Sequence, residues 1–318
     1  DLRKPVEDHA GGLDADFGHV CSRRAQPVAS DIERSVALLA SAKRPVILSG
    51  GETIVSEAWG ELTALAEALS IPVVTSMAGK GSIAETHPLS VGVLGRYSRK
   101  AANEVVSRCD FVLCIGSQLS AMTTDTFKFP APGTPIVHVS FDPMSLGRTY
   151  KETLSIHADP KLALVALNEA VHAARIKADV WSEWTRSAQQ LLADWRRKYA
   201  DLAQKKMVNG RINPVYAMSQ LNAHIKGGDI VIGDTGNATR WAGALVDVKQ
   251  AGRSYQRAAG SLGWAYPGGL GAKLAVGDKA RVFTVTGDGG LGYHLGELET
   301  ALRINIPSIT IVLNNASF

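Results

Sequence analysis

The sequence predicts an α/β fold made of two doubly wound parallel sheets. Short apolar runs of strand length alternate along the chain with segments in which apolar residues recur at helical spacing. Continuous apolar strands are typical of parallel sheets, because helices cover both of their faces. The chain has 318 residues, of which 45% are apolar, and this length is enough for two hydrophobic cores.

The first α/β unit is predicted over residues 30–175. Residues 1–29 precede it, and residues 176–212, which are rich in Trp and charge, follow it as a helical linker. Ser30 stands where the cap of the first helix is expected. The predicted helices cover residues 31–42, 58–69, 101–107 and 161–174, and the predicted strands cover residues 45–48, 72–75, 111–115 and 136–140.

The second α/β unit is predicted over residues 213–318 and opens with Asn213-Pro214. A strand, a helix and a second strand in its last part predict a right-handed crossover between neighbouring parallel strands. These elements are a strand over residues 281–286, a helix over residues 294–305 with Leu295, Leu298 and Leu302 at helical spacing, and a strand over residues 309–313.

Polar residues follow both of these strands. Gly287-Asp288-Gly289 ends the first strand, and Asn314-Asn315 ends the second. The carboxyl ends of parallel strands share one edge of the sheet, so we expect the Asp288 and Asn315 side chains to emerge side by side. Mg²⁺ takes few protein carboxylates and completes its shell with phosphate oxygens, while Gly289 and Gly290 allow backbone N–H groups to approach a phosphate. The spacing therefore predicts a site for magnesium and a diphosphate.

Charge and composition argue against several other classes of protein. The formal net charge is only +4, and we interpret the main basic run as a solvated helix or linker face, not as a nucleic-acid surface. We also expect no membrane span and no secretion signal. The three cysteines are scattered, which favours a reducing cytoplasm. The basic run comprises Arg196, Arg197, Lys198, Lys205 and Lys206.

Two further segments make the Gly-Asp-Gly motif more specific. Gly233-Asp234-Thr235-Gly236-Asn237, followed by Trp241, is similar to the loop that opens the cofactor-binding domain of one enzyme family. Residues 259–273 (AGSLGWAYPGGLGAK) are similar to its GSMGYGLPAAIGAK segment. Together with the Gly-Asp-Gly motif and the Asn-Asn pair, these two segments make the chain resemble thiamine diphosphate enzymes of the acetolactate synthase, pyruvate oxidase and benzoylformate decarboxylase type. Asp234 itself reads equally well as a strand-end cap or as part of a phosphate loop.

This resemblance implies a fold and a cofactor. Residues 30–175 would form the Rossmann-like central domain, and residues 213–318 a C-terminally incomplete thiamine diphosphate-binding domain. Asp288, the Asn315 side chain and the Ser317 carbonyl would bind Mg²⁺. The Gly260 carbonyl would accept from the 4′-amino group of the cofactor, while Leu262 would donate its N–H to the pyrimidine and hold the cofactor bent. The implied cofactor contacts are completed by Gly236, Asn237, Ala238, Ser261, Gly287, Gly289 and Gly290.

Some members of the family hold FAD or ADP in the central domain. Gly50-Gly51 and Gly116-Ser117-Gln118 follow predicted strands and would approach such a nucleotide, but glycines at strand ends usually serve turns. Residues 117–120 also lack the arginine and the paired aspartates of flavin-binding acetolactate synthases. We therefore expect neither nucleotide to bind in the central domain, and we regard FAD as the weaker of the two candidates.

The ends of the sequence suggest that part of the enzyme lies elsewhere. Residues 1–6 resemble the end of the family's N-terminal domain, which carries the glutamate that protonates the pyrimidine. We expect this chain to be a fragment or one part of a split enzyme, inactive by itself, and completed by that domain of a neighbouring subunit in a homodimer or homotetramer. The substrate would be a 2-oxo acid, with an aldehyde or acyl-CoA among the possible acceptors.

Two other functions remain open at this point. One is a non-catalytic subunit that binds a nucleotide or diphosphate and has a structural or regulatory role. The other is a subunit of an iron–sulfur 2-oxo acid oxidoreductase, which carries the same Gly-Asp-Gly and Asn-Asn pairs. The absence of clustered cysteines in the sequence argues against the second.

Overall fold

The computed structural model describes residues 24–97, 99–258 and 260–316, and the first of its two main sheets has six parallel strands. The strand order is β3-β2-β1-β4-β5-β6, which is the Rossmann order, with the direction of winding reversed between β1 and β4. These strands are β1 (Pro45–Ser49), β2 (Val73–Thr75), β3 (Ser90–Val93), β4 (Phe111–Ile115), β5 (Ile136–Ser140) and β6 (Leu154–His157).

Helices cover both faces of this sheet, as the apolar strands require. Two buried clusters result, one with Leu62, Leu65 and Phe111 at its centre and the other with Val105 and Val112. The helices are α1 (Ala29–Ser41), α2 (Gly51–Val55), α3 (Trp59–Leu69), α4 (Lys100–Arg108) and α5 (Pro160–Ala173).

The predicted cap at Ser30 is wrong. Helix α1 begins at Ala29, so that Ser30 lies inside its first turn, and Val28 is the N-cap with no side-chain hydrogen bond. By contrast, Asp159 caps α5, because its carboxylate accepts hydrogen bonds from the N–H groups of Lys161 and Leu162 at 2.9 and 3.2 Å.

The second main sheet has four parallel strands in the order β10-β9-β11-β12. The winding reverses between β9 and β11, and Gly287 at the end of β11 is in register with Leu313 at the end of β12. The strands are β9 (Ile230–Gly233), β10 (Tyr255–Arg257), β11 (Val282–Gly287) and β12 (Ile309–Leu313), after a short antiparallel pair, β7 (Met207–Val208) and β8 (Arg211–Ile212). The helices of this part are α6 (Ser182–Ala203), α7 (Pro214–His224), α8 (Asn237–Leu245), α9 (Ala265–Val276), α10 (Asp288–Gly292) and α11 (Glu297–Arg303).

Helix α6 forms most of the predicted helical linker. Its basic run is not uniformly solvated, because Arg196 donates to Asp247 and to the Glu85 carbonyl, whereas Arg197 and Lys198 are exposed. In the part of the chain that the structure describes, α6 and the other helices are too short or too polar to cross a membrane.

The last helix turns much of its apolar side to solvent. Residues 294–305 were predicted as one helix, but α11 spans Glu297–Arg303, and Leu295 precedes it. Leu295, Leu298 and Leu302 are 53%, 47% and 83% exposed. The helical spacing of these leucines therefore does not mark a face that is buried in this structure.

A buried cluster of charges joins the two sheet units. Lys80, Glu85 and Arg99 belong to the first unit and are almost inaccessible, whereas Asp247 follows α8 in the second unit. Lys80 pairs with Glu85 and donates to the Val246 carbonyl at 2.8 Å. The Arg99 guanidinium meets the Asp247 carboxylate at 2.6 Å. Burial lowers the pKa of Lys80 to about 8, in spite of Glu85, so the cluster depends on the close pairing of its members.

Replacement of Asp247 tests the importance of this cluster. Asp247→Asn removes the nearer of the two carboxylates beside the Arg99 guanidinium and leaves Glu85, at 3.3 Å, to balance both Arg99 and Lys80. We expect the free energy of unfolding to fall by about 3 kcal/mol, because a buried cation that loses a carboxylate partner is costly. Urea denaturation at pH 7 measures this loss. Asp278→Asn is the matched control, since the Asp278 side chain is fully exposed, and it should leave stability unchanged. Equal stabilities of the two variants would contradict the prediction.

Candidate functional site at the carboxyl edge of the second sheet

The segments that follow β11 and β12 lie at the same edge of the second sheet. Gly287 closes β11 in an extended conformation, and Asp288 begins α10 directly after it. Because Gly287 is in register with Leu313, Asn314 and Asn315 leave the neighbouring strand at the same level. Residues that carry a carboxylate and two amides thus follow neighbouring strands at one edge of the sheet, and these are oxygen donors of the kind that Mg²⁺ prefers.

The turn after β12 is held by its own hydrogen bonds. The Asn314 side-chain oxygen accepts from the Ala316 N–H at 2.9 Å, and Ala316 is left-handed with φ 54°. The Asn315 carbonyl accepts from Arg211 at 3.3 Å. The family resemblance implies that the Ser317 carbonyl is a metal ligand, but Ser317 lies outside the described residues.

A second anion-binding element comes from the loop between β9 and α8. Gly236 has φ 84°, a conformation that favours glycine, and Asn237 and Ala238 are the first residues of the nine-residue helix α8. The first N–H groups of a helix lack partners within it and favour an anion. Among the described residues, no atom would lie within 4 Å of an added Cβ at Gly236, Gly260 or Gly287. The edge therefore has room for a ligand beside the residues that would hold it.

The Asp234 carboxylate connects the loops that form this edge. Asp234 is only 1% exposed. One of its oxygens accepts from the backbone N–H groups of Thr235 and Gly263 at 2.8 and 2.9 Å, and the other accepts from the Thr286 hydroxyl at 2.5 Å. Of the two interpretations that the sequence left open, these contacts favour the strand-end cap, and they extend it to two neighbouring segments.

The loop at residues 260–263 is held by hydrogen bonds to Asp234 and Thr235, which follow β9. The Thr235 hydroxyl donates to the Ser261 carbonyl at 3.1 Å, and Gly263 is held by Asp234. Gly260 has φ 123°, and the Leu262 side chain remains 39% exposed. Leu262 is thus presented on an anchored loop and is not part of the core.

The donor set at this edge suits magnesium better than a softer metal. Among residues 24–97, 99–258 and 260–316, no group of three or more His, Cys, Asp or Glu side chains is placed to hold a metal ion by itself. Asp288 and the amides after β12 provide hard oxygen donors in small number. Such a set binds Mg²⁺ when phosphate oxygens complete the coordination.

The carboxyl edge of the first sheet does not fit a phosphate group. Gly50 and Gly116 lie where the winding reverses, and a Cβ on Gly50 would overlap the Gly116 carbonyl. The buried Glu52 carboxylate also lies there, accepting from the Ser140 hydroxyl and the Phe141 N–H at 2.8 and 2.9 Å. Burial raises the pKa of Glu52, and a buried carboxyl group at this position disfavours the phosphates of FAD or ADP. The absence of both nucleotides from this domain remains a prediction.

A cavity of about 210 Å³ lies elsewhere, between α6, α7 and the end of α8. Its charged lining residues, Arg196 and Asp247, are already paired with each other at 3.3 Å. We therefore place the functional site at the carboxyl edge of the second sheet and not in this cavity.

Comparison with known proteins agrees with the two-unit architecture. Residues 32–167 match the family model for the thiamine pyrophosphate enzyme central domain, and residues 234–318 match the model for the C-terminal TPP binding domain.

Curated relatives carry one recurring description. The chain is 32% identical over 290 residues to a probable acetolactate synthase large subunit of Methanocaldococcus jannaschii, covering 89% of this chain and 48% of the relative. It is 30% identical over 293 residues to the acetolactate synthase large subunit of Corynebacterium glutamicum, covering 92% and 46%. For acetolactate synthase isozyme 3 large subunit of Escherichia coli, the identity is 28% over 287 residues, covering 89% and 49%. The chain thus spans about half the length of the curated relatives that it matches.

Two glycines in the same turn provide a test of this geometry. A Cβ at Gly290 would overlap Asp234 and come within 2.8 Å of the Thr286 hydroxyl oxygen, whereas a Cβ at Gly287 would meet nothing within 4 Å among the described residues. We expect Gly290→Ala to lower the free energy of unfolding by about 2 kcal/mol, because the buried carboxylate must move. Gly287→Ala should change it by less than about 0.5 kcal/mol. Chemical denaturation of both variants checks this, and the reverse order of stabilities would refute the described packing.

Proposed function

We propose that this chain, which belongs to the thiamine pyrophosphate enzyme family, is the central and cofactor-binding part of a thiamine diphosphate- and Mg²⁺-dependent 2-oxo acid decarboxylase or carboligase. The proposed reaction class is that of acetolactate synthase, the name that its relatives carry. The observation that carries the proposal is the convergence of three segments at the point where the winding of the second sheet reverses. These segments are residues 234–238, 260–263 and 286–290.

Residues at this edge would hold the metal ion and the diphosphate end of the cofactor. Asp288 and Asn315 would hold Mg²⁺, with Ser317 as the proposed third ligand, and the backbone amides of residues 236–238 and 289–290 would receive the diphosphate. Such an arrangement uses hard oxygen donors for the metal, and the N-terminus of α8 together with the turn at residues 289–290 for the phosphates. Mg²⁺ and the backbone N–H groups would then oppose the negative charge that the diphosphate brings to the edge.

The loop at residues 260–263 would orient the reactive end. The Gly260 carbonyl would accept a hydrogen bond from the aminopyrimidine, and the Leu262 N–H would donate one to it. The exposed Leu262 side chain would support the bent conformation of the cofactor. Bound thiamine diphosphate supplies the nucleophilic carbon and the electron sink for decarboxylation, and the protein orients the cofactor and excludes water.

The remaining partners follow from the same proposal. The substrate is a 2-oxo acid, and the acceptor is a second 2-oxo acid, an aldehyde or an acyl-CoA. The pyrimidine-binding domain would come from a neighbouring subunit of a homodimer or homotetramer. A cytoplasmic location is supported by Cys109 and Cys114, which are buried free thiols.

Cofactor binding tests the proposal directly. We expect thiamine diphosphate to raise the melting temperature of the chain only when Mg²⁺ is present, because the metal joins the diphosphate to Asp288. At a ligand concentration of about 100 times Kd, the stabilisation is about 2.7 kcal/mol. Asp288→Ala should abolish this shift, and Asp278→Ala, which changes a fully exposed carboxylate of the same unit, should keep it.

The alternative outcomes have distinct meanings. A shift that does not need Mg²⁺, or that survives in Asp288→Ala, would contradict the metal site. If the chain shows no shift even when it is mixed with a pyrimidine-binding domain, the non-catalytic interpretation is favoured over the enzyme.

A further inference from the structure

Asp234 carries a buried charge that the proposed roles of the other residues do not explain. The residue is 1% exposed, and within the described part of the chain it forms no ion pair with a Lys, Arg or His side chain. Its partners are the N–H groups of Thr235 and Gly263 and the hydroxyl of Thr286. A carboxylate that is buried without a cation is costly unless hydrogen bonds satisfy it, and two of the three donors to Asp234 come from other segments of the site.

The same carboxylate touches both sides of the proposed metal ligand. Thr286 lies two residues before Asp288 and donates its hydroxyl to Asp234 Oδ2 at 2.5 Å. Gly290 lies two residues after Asp288, and its backbone packs so closely on Asp234 Oδ2 that a Cβ would overlap it. The turn that presents Asp288 is therefore folded around the Asp234 carboxylate.

Asp234 also fixes the loop proposed to contact the other end of the cofactor. Gly263 donates its N–H to both Asp234 oxygens, at 2.9 and 3.2 Å. Gly263 has φ 89°, and a Cβ there would lie 2.9 Å from the Gly290 carbonyl oxygen. One side chain thus sets the distance between the loop at residues 260–263 and the turn at residues 286–290.

The Asp234 carboxylate contacts the residues two before and two after Asp288, so a cation bound by Asp288 would lie near its negative charge. A negative charge held in a dry environment close to a cation site favours the cation, because the interaction is weakly screened there. Groups that orient the ligands of a metal commonly change its affinity by about 10- to 100-fold when they are removed.

We propose that Asp234 is a positioning residue, which orients Asp288 and the 260–263 loop together and favours Mg²⁺ at this edge through its buried charge. This inference rests on the proposed function, since it concerns the same cofactor site. It adds a residue that touches neither the metal nor the cofactor in that proposal.

The test compares two aspartates at opposite ends of β9. Asp234 follows the strand and Asp229 precedes it, where Asp229 pairs with Arg281 at 2.6 Å, and both residues are buried. Asp234→Asn and Asp229→Asn are then the same chemical change, and only the first lies at the proposed site. Calorimetric titration of each variant with MgCl₂ at fixed thiamine diphosphate gives the Mg²⁺ concentration for half-maximal binding, and melting without ligands gives the stability of the fold.

We expect Asp234→Asn to raise the half-maximal Mg²⁺ concentration by about 10- to 100-fold. Asp229→Asn should lower the melting temperature and leave that concentration within about twofold. If Asp234→Asn lowers only the melting temperature, its role is structural and the proposal is overturned.

A second variant covers the case in which Asp234→Asn does not fold. Thr286→Val removes one hydrogen bond to Asp234 and keeps the volume of the side chain. It should weaken Mg²⁺ binding in the same direction by a few fold, and wild-type binding in this variant would overturn the proposal. Absence of Mg²⁺-dependent binding in the wild-type chain, even when it is mixed with a pyrimidine-binding domain, would instead refute the proposed function.

Discussion

Parallel pairing of β9, β11 and β12 is the constraint on which the site depends. Strands that run in one direction must end at one edge, so that the residues following them meet in space although they are distant in sequence. The glycines at positions 263 and 290 then allow the connecting segments to come closer than side chains would permit. The site is a consequence of strand direction first and of particular side chains second.

Much of this architecture was predictable from the sequence, because it rests on local patterns. The strands at residues 111–115, 136–140 and 309–313 have the predicted bounds, since each is a mainly apolar run bounded on at least one side by Gly, Pro, Asp or Asn. The α/β class with two parallel sheets is confirmed. The positions of Asp288 and Asn315 at strand ends follow from the same patterns, and their roles as ligands stay predictions.

Other features depend on contacts that no local pattern encodes. Strands β3 and β6 are not among the predicted strands. Each has only four residues, and β6 alternates buried and exposed positions, so these segments become strands through pairing with a neighbour. The partners of Asp234 lie at Gly263 and Thr286, and only the fold brings them together. An Asp after a strand was the available signal, and it did not distinguish a cap from a phosphate loop. The leucines of α11 show the opposite case, since a clear helical period is present on a face that stays exposed.

The charge cluster at Lys80, Glu85, Arg99 and Asp247 has a mechanical consequence. A hinge motion between the two sheet units would have to separate the Arg99 guanidinium from the Asp247 carboxylate and the Lys80 ammonium from the Val246 carbonyl. Opening of the two units by such a hinge is therefore costly, because these contacts hold their relative orientation. A ligand at the carboxyl edge of the second sheet would then enter and leave without a change in the angle between the two units.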